Sequence, residues 1–362
     1  MPDDLPFRIL LVGASGTFGS RLAERLAVEP GIALTLAGRR ERPLQAVAAR
    51  IGGGAVRTID RDRVEARDLA GYDLVIDAAG PFQQSGTALV EAAIAAGIDY
   101  VDLSDGRDWV VGFSDRFDPA AKQAGVSLVA GASSLPALSH AVIDRLTTGW
   151  NDIDRIWVGI FPGNNTERGL SVMQAILSYA GKPVRQFRDG EWRSDWGWGR
   201  LERARLGPLG RRWASLCDTP EQEMLVSRYR PRRDALFVAG LELSILHLGL
   251  WLLSLPVRWG LVRSLRPAAP AMLALANRFR PFGSDRGGML VEVEGGGRKA
   301  SWLLDAPDAR GPYVPTLAAL ALVRRWRDGR RPDPGARACS GILDLAEFDR
   351  DFRALGIATG IR

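Results

Sequence analysis

Short aliphatic runs alternate with longer Ala- and Leu-rich stretches from the N-terminus to about residue 135. The runs Arg8–Val12, Ala33–Ala37, Ala55–Ile59, Leu74–Ala78, Tyr100–Leu103 and Ser127–Ala130 read as strands. The stretches between them, Gly19–Ala27 and Thr87–Ala96 included, read as helices, and Gly31, Gly97 and Gly125 stand where a helix end favours positive φ. Strand and helix in alternation predict βαβ units, hence an α/β fold whose first domain, residues 1–135, is a parallel doubly wound sheet.

The rhythm changes after "GASSLPALSHAVIDRL". A strand at Ile156–Ile160, a helix at Gly169–Tyr179 and an Arg/Trp-rich stretch without helical period come next, followed by strands at Ala235–Leu241, Met289–Glu294 and Lys299–Asp305. The turn "EGGGR" joins the last two as a hairpin. Residues 136–310 thus form a second domain of α+β character, expected to carry substrate contacts and compatible with a homodimer interface. The last part, 311–362, is a helix, a Pro-rich loop and a short tail.

One run, Leu241–Val262, is long and apolar, but Glu242, His247, Pro256 and Arg258 interrupt the roughly 20 apolar residues that a bilayer crossing needs. Two readings stay open: a packing helix of the second domain, or an interfacial helix with Arg258, Arg263, Arg266, Arg278 and Arg280 meeting anionic headgroups. The second would put a peripheral membrane contact within residues 241–280. In the same way, the Trp-rich piece Gly190–Gly207 either lines an apolar pocket or makes hairpins with arginine stems stacked over indoles.

A chain of 362 residues suits two cores, and its 46% apolar and 25% charged shares are those of a globular protein. The net charge of +6 comes from 45 arginines against three lysines, scattered among acids rather than gathered into basic arms, so no nucleic-acid partner is expected. Cys217 and Cys339 lie far apart, and no basic segment precedes the first apolar run, which suits a reducing cytoplasm, with the membrane's inner face as the alternative contact. His140 and His247 are the only histidines, so no metal site is expected, and the sequon at Asn164–Thr166 carries no weight.

The turn Gly13-Ala14-Ser15-Gly16-Thr17-Phe18-Gly19 spells G-x-x-G-x-x-G between a strand and a helix. Gly13 permits the tight turn, Gly16 lets backbone approach a pyrophosphate, and Gly19 lets helix pack on strand. Phosphates then meet unpaired amides and the positive end of the helix dipole. After the second strand, "LTLAGRRERP" sets Arg39 and Arg40 where an acid would bind a free ribose 2′-hydroxyl, so NADP(H) is expected over NAD(H). Asp60, after the third strand, can accept from the adenine amino group or cap the next element. In "DAAGPFQQSG", Ala79, Gly80 and Pro81 make a side-chain-poor wall of the kind that lies against ribose and nicotinamide.

The segments "GASGTFG", "LAGRR", "DAAGPFQQSGTALVEAAIAAGIDYVDLSDG" and "GASSLPALSHAVIDRL" together resemble the saccharopine dehydrogenase-like (saccharopine reductase-like) oxidoreductases. "DGEW", "GPYVPTLAALALVRR" and "PGARACSGILDLAEF" look like a bacterial branch of unassigned substrate. The resemblance implies an N-terminal Rossmann domain, a central α+β domain whose sheet faces the cofactor cleft, and a C-terminal segment packed on the first domain. It implies cofactor contacts from Gly13, Ser15, Gly16, Thr17, Phe18, Gly19, Arg39 and Arg40, with Gly80 and Pro81 on the nicotinamide side. It also sets Asp102, Ser104, Ser133 and Ser134 toward the cleft as substrate-facing residues. Pro136-Ala137 stands where saccharopine-forming members look to carry Pro-Gly, which points to another substrate.

The activity expected is hydride transfer to a C=N, C=O or activated C=C bond of a small or lipid-like molecule. His140, just after the sixth strand, has a suitable pKa range for proton transfer; Tyr100 and Asp102 share one strand face and can orient a substrate. Each has a bland alternative, packing for His140 and helix capping for Asp102. No Tyr-x-x-x-Lys or G-x-S-x-G is present, which excludes the short-chain dehydrogenase and elbow-hydrolase patterns. The reading from another class is a non-catalytic NADP-binding sensor or scaffold, at a membrane or free.

Overall fold

The structure, a computed structural model, describes residues 5–84 and 86–362. The chain divides into two compact units, the first running to Leu138 and taking in Tyr313–Leu343, the second comprising Ser139–Pro312 and Asp344–Arg362. The expected C-terminal segment 311–362 therefore splits, its last part, from Asp344, joining the second unit.

In the first unit the strands are β1 (Phe7–Val12), β2 (Ile32–Gly38), β3 (Ala55–Thr58), β4 (Leu74–Asp77), β5 (Asp99–Asp102) and β6 (Ser127–Ala130). With β15 (Gly335–Ala338) they form a seven-stranded sheet in the order β15-β6-β5-β4-β1-β2-β3. Every pair in it is parallel. The Rossmann order follows from burial: β4, β5 and β6 are buried at every position, as strands with helices on both faces must be. The order reverses at β1, which pairs with β2 on one side and β4 on the other, so the ends of β1 and β4 open the crevice where such sheets hold ligands. Gly97 and Gly125 close their helices in the left-handed conformation, at φ +68° and +69°.

The C-terminal part of this unit is the helix Leu317–Arg327, buried at every position from Leu317 to Val323. Its Trp326 Nε1 donates to Asp99 Oδ2 at 2.7 Å, and Arg324 pairs with the buried Glu29 at 2.6 Å. β15, read from sequence as Pro-rich loop, adds the outermost strand beside β6.

The second unit is built on β7 (Arg155–Phe161), β8 (Pro183–Arg188), β9 (Glu191–Trp196), β10 (Glu202–Arg205), β11 (Arg211–Leu216), β12 (Asp234–Ala239), β13 (Gly287–Gly295), β14 (Arg298–Ala306) and β16 (Ala358–Ile361). Its sheet runs β10-β11-β12-β7-β13-β14-β16, with β8 joined to β12 and β9 to β8. Within this second sheet only β12 and β7 pair in parallel among the described residues. Gly296 and Gly297, at φ +57° and +75°, are the two loop residues between β13 and β14, the positive-φ pair a two-residue hairpin needs. The Arg/Trp-rich piece contributes a β8–β9 hairpin, and guanidinium groups lie over indoles: Arg185 over Trp192 at 4.7 Å, Arg203 over Trp213 at 4.4 Å, Arg258 over Trp196 at 5.2 Å. The long apolar run becomes the helix Ser244–Arg258. Among the described residues no helix is long and apolar enough to cross a membrane.

Candidate cofactor site and the buried polar clusters

At the crevice of the first sheet, the turn after β1 is held by short backbone hydrogen bonds: the Gly13 and Ala14 amides donate to the Ala37 carbonyl at 2.9 and 3.2 Å. Gly13 has φ +80°, and a Cβ there would lie 2.6 Å from the Ala79 nitrogen. One on Gly19 would lie 2.2 Å from the Gly13 carbonyl oxygen. These two glycines let β1, the end of β4 and the helix Thr17–Leu26 approach as closely as they do. Gly16 caps that helix with no side-chain hydrogen bond, so the amides of its first turn keep the unsatisfied donors every helix begins with. Ser15 and Gly16 are exposed and Thr17 and Phe18 half-buried, which leaves those donors accessible to an anion such as a diphosphate.

Arg39 and Arg40 follow β2, both exposed, and neither makes a hydrogen bond or ion pair among the described residues. Asp60, also exposed, accepts the Asp62 amide at 3.3 Å while its carbonyl accepts the Arg63 amide at 3.0 Å, so it opens a turn after β3.

Arg61 was not singled out by the sequence reading, yet it organises the end of β4. Its guanidinium lies 3.1 Å from Asp77 Oδ2, donates to the Ala79 carbonyl, and sits over the Phe82 ring at 5.4 Å. Asp77 Oδ1 in turn accepts the Ala79 amide at 2.9 Å. The stretch Ala79–Gly80–Pro81 is thereby braced from both ends. Burial pushes the Asp77 carboxyl up to about 6; the Arg61 charge opposes that shift without cancelling it. The sequence signal was there in retrospect, an acid ending the buried run "LVID".

Tyr100 and Asp102 are fully enclosed. Asp102 Oδ1 accepts the Ser104 and Gly131 amides at 2.9 and 2.8 Å; Oδ2 accepts Trp109 Nε1 at 2.7 Å and the Tyr100 hydroxyl at 3.2 Å. One carboxyl thus ties the turns after β5 and β6 together. Burial raises both groups above their ordinary values. Ser104 is buried with its hydroxyl accepting the Gly106 amide at 3.1 Å, and Ser133 and Ser134, beyond β6, are 8% and 7% exposed.

His140 belongs to the second unit, on the helix Ser139–Leu146. Its Nε2 lies 3.9 Å from Glu221 Oε2, both side chains fully buried, and its ring meets Tyr229 edge-on at 5.2 Å. Two charges at that separation would form an ion pair, but burial disfavours both: His140 is pushed down to about 3 and Glu221 up to about 8, so the pair is neutral at pH 7. The other histidine makes a Ser–His contact, with Ser215 Oγ 2.9 Å from His247 Nε2. Because His247 Nδ1 accepts the Leu241 amide at 3.3 Å, Nε2 carries the hydrogen and donates to the serine, the reverse of what activates a nucleophile. Asn164 of the sequon is 1% exposed and donates to the Phe279 carbonyl at 2.6 Å. Among the described residues no group of His, Cys, Asp or Glu could hold a metal ion.

The profile of the saccharopine dehydrogenase NADP binding domain matches residues 9–129. The first unit carries a saccharopine dehydrogenase-type NADP-binding domain. NADP(H) is therefore the cofactor, as the paired arginines after β2 led us to expect. The saccharopine dehydrogenase likeness extends to the fold of the whole chain: a structure of saccharopine dehydrogenase (L-Glu forming) from Saccharomyces cerevisiae covers 98% of this chain and 99% of its own at TM-score 0.68, with 14% identity. Among curated proteins, a lipid droplet localized protein of Caenorhabditis elegans is 29% identical over 146 residues, 36% of this chain and 34% of that protein. A trans-acting enoyl reductase of Mycobacterium tuberculosis is 31% identical over 145 residues, 38% of this chain and 35% of that protein. These two matches span about a third of the length of each relative.

Proposed function

We propose that the chain is an NADP(H)-dependent oxidoreductase that reduces an activated C=C bond in an α,β-unsaturated acyl substrate of lipid-like character. The observation that carries the reading is the turn Gly13–Gly19, whose close-packed glycines and uncapped helix start build an anion cradle at the crevice of a parallel sheet. Likeness to a trans-acting enoyl reductase favours C=C over the C=O and C=N alternatives.

When bound, the dihydronicotinamide supplies a hydride. The chain's residues hold and orient. The backbone amides of Ser15, Thr17, Phe18 and Gly19 take the diphosphate, and Arg39 and Arg40 take the 2′-phosphate by charge-assisted hydrogen bonds. Asp60 borders the adenine, and Ala79, Gly80 and Pro81, braced by Arg61, form the wall beside the nicotinamide. Asp102 and Tyr100 serve as positioning residues, since their polar atoms are engaged inside the fold; through the Ser104 and Gly131 amides Asp102 sets the turns that carry Ser104, Ser133 and Ser134 to the substrate. His140, neutral and enclosed beside Glu221, is a packing residue.

The test is NADPH oxidation with a trans-2-enoyl thioester, alongside calorimetry with NADPH and NADH. Turnover together with tighter NADPH binding is expected. Tight binding without turnover on enoyl, ketone or imine substrates would leave the sensor or scaffold reading in its place; binding of neither nucleotide would overturn both.

A further inference from the structure

The helix Ser244–Arg258 is apolar on both sides. His247, Leu250, Ser254 and Val257 recur at helical spacing and are buried, which accounts for the inward face. The outward face carries Ile245, Leu252 and Leu253, at 66%, 57% and 47% exposure. Farther along the same stretch of chain, Trp259, Leu261 and Phe282 are exposed at 65%, 75% and 73%. Between Ile245 and Phe282 lie eight of the fourteen exposed large apolar side chains among the described residues, a concentration beyond the scattered exposure of an ordinary surface.

Charge over the same stretch is of one sign. No Asp, Glu or Lys stands between Glu242 and Asp285, whereas Arg258, Arg263, Arg266, Arg278 and Arg280 do. We propose that this face of the second unit docks on an anionic lipid bilayer, the apolar side chains entering the acyl boundary and the exposed Arg258, Arg263 and Arg278 meeting headgroup phosphates. Lipid supplies both chemistries at once: an apolar interior for Leu252, Leu253 and Leu261, an interfacial layer for Trp259, and anions within reach of long arginine stems. At 15 residues, ending in Pro256 and Arg258, the helix is too short to cross and lies along the surface. A second copy of the chain is a poor occupant, because a two-fold contact would set arginines against arginines with no acid of the stretch between them. The inference is independent of the reaction proposed above.

Flotation of the full chain with phosphatidylcholine vesicles, with and without about a third phosphatidylglycerol, tests it. Binding is expected to the anionic vesicles, weakening as salt rises. Leu252→Ser with Leu261→Ser, and separately Arg263→Gln with Arg278→Gln, should each lower the partition coefficient by about tenfold or more while keeping the wild-type thermal melt. If the apolar pair does not fold, the arginine pair decides. Equal binding to both vesicle types, no binding to either, or wild-type binding by the arginine variant would overturn the proposal. So would light scattering that detects a dimer dissociated by the same substitutions, which would assign the face to a second copy.

Discussion

The two units place their polar chemistry differently. In the first, the candidate site residues come from successive turns at one end of a parallel sheet: Gly13–Gly19 after β1, Arg39 and Arg40 after β2, Arg61 after β3, Ala79–Pro81 after β4, Ser104 after β5. Each turn is local in sequence, and the sheet does the gathering. In the second, polar groups meet from distant parts of the chain. Glu242 accepts from the Asn164 amide at 2.6 Å and from the Ser284 amide and hydroxyl at 2.9 and 2.6 Å, and its carboxylate lies 3.4 Å from Arg212 Nη2. Arg212, buried, spends its other donors on the Phe161, Pro162 and Arg286 carbonyls. The contrast is between a site assembled by strand order and a knot assembled by burial, and it predicts different consequences for substitutions.

The largest effect should come from the knot. Glu242→Ala strips Arg212 of its carboxylate and orphans three donors, and should lower the stability of the second unit by about 3 kcal/mol or more in calorimetric unfolding. NADPH binding to the first unit should change far less, and loss of both together would break the contrast.

Next is Glu221. Its proton is retained when folded up to about pH 8, whereas an unfolded glutamate loses it near 4.3, so stability falls as pH rises through that window. Glu221→Gln should therefore raise the melting temperature at pH 8, by a free energy on the order of a few kcal/mol, and change little at pH 4. His140 acts with the opposite sign: pushed down to about 3, it makes the fold lose stability as pH falls from about 6.5. A variant whose melting curve keeps the wild-type slope above pH 5 would show Glu221 to be charged in the folded chain.

In the first unit, Arg39→Glu with Arg40→Glu should weaken NADPH by about 30-fold, some 2 kcal/mol, and leave NADH nearly unchanged. Equal losses for both nucleotides would remove the arginines from the 2′-phosphate. The smallest effect is a gain: Gly249, inside the helix Ser244–Arg258, has nothing within 4 Å of an added Cβ, so Gly249→Ala should stabilise by about 0.5–1 kcal/mol.

The first sheet was legible because its periodicity is coarse and its punctuation strong. Six strands and the glycine turn stand within a residue or two of where the alternation put them. β8 to β11 were not individually legible: "PVRQFR", which lies between β12 and β9, and "ERAR", at the sheet's edge, are polar strands that pairing, not composition, makes strands. β15 hid behind proline, and β16, short and exposed, exists because β14 offers it an edge.

The chain's own order of residues determined the Rossmann alternation, the glycine turn and the paired arginines, because each depends on neighbours a few positions apart. Tertiary structure alone decided that Arg61 braces the wall at Ala79, that Asp102 is enclosed by four donors, that His140 and Glu221 share a buried pocket, and that the helix Ser244–Arg258 keeps an apolar face outside. These depend on burial, and burial is a property of what the rest of the chain packs around a residue.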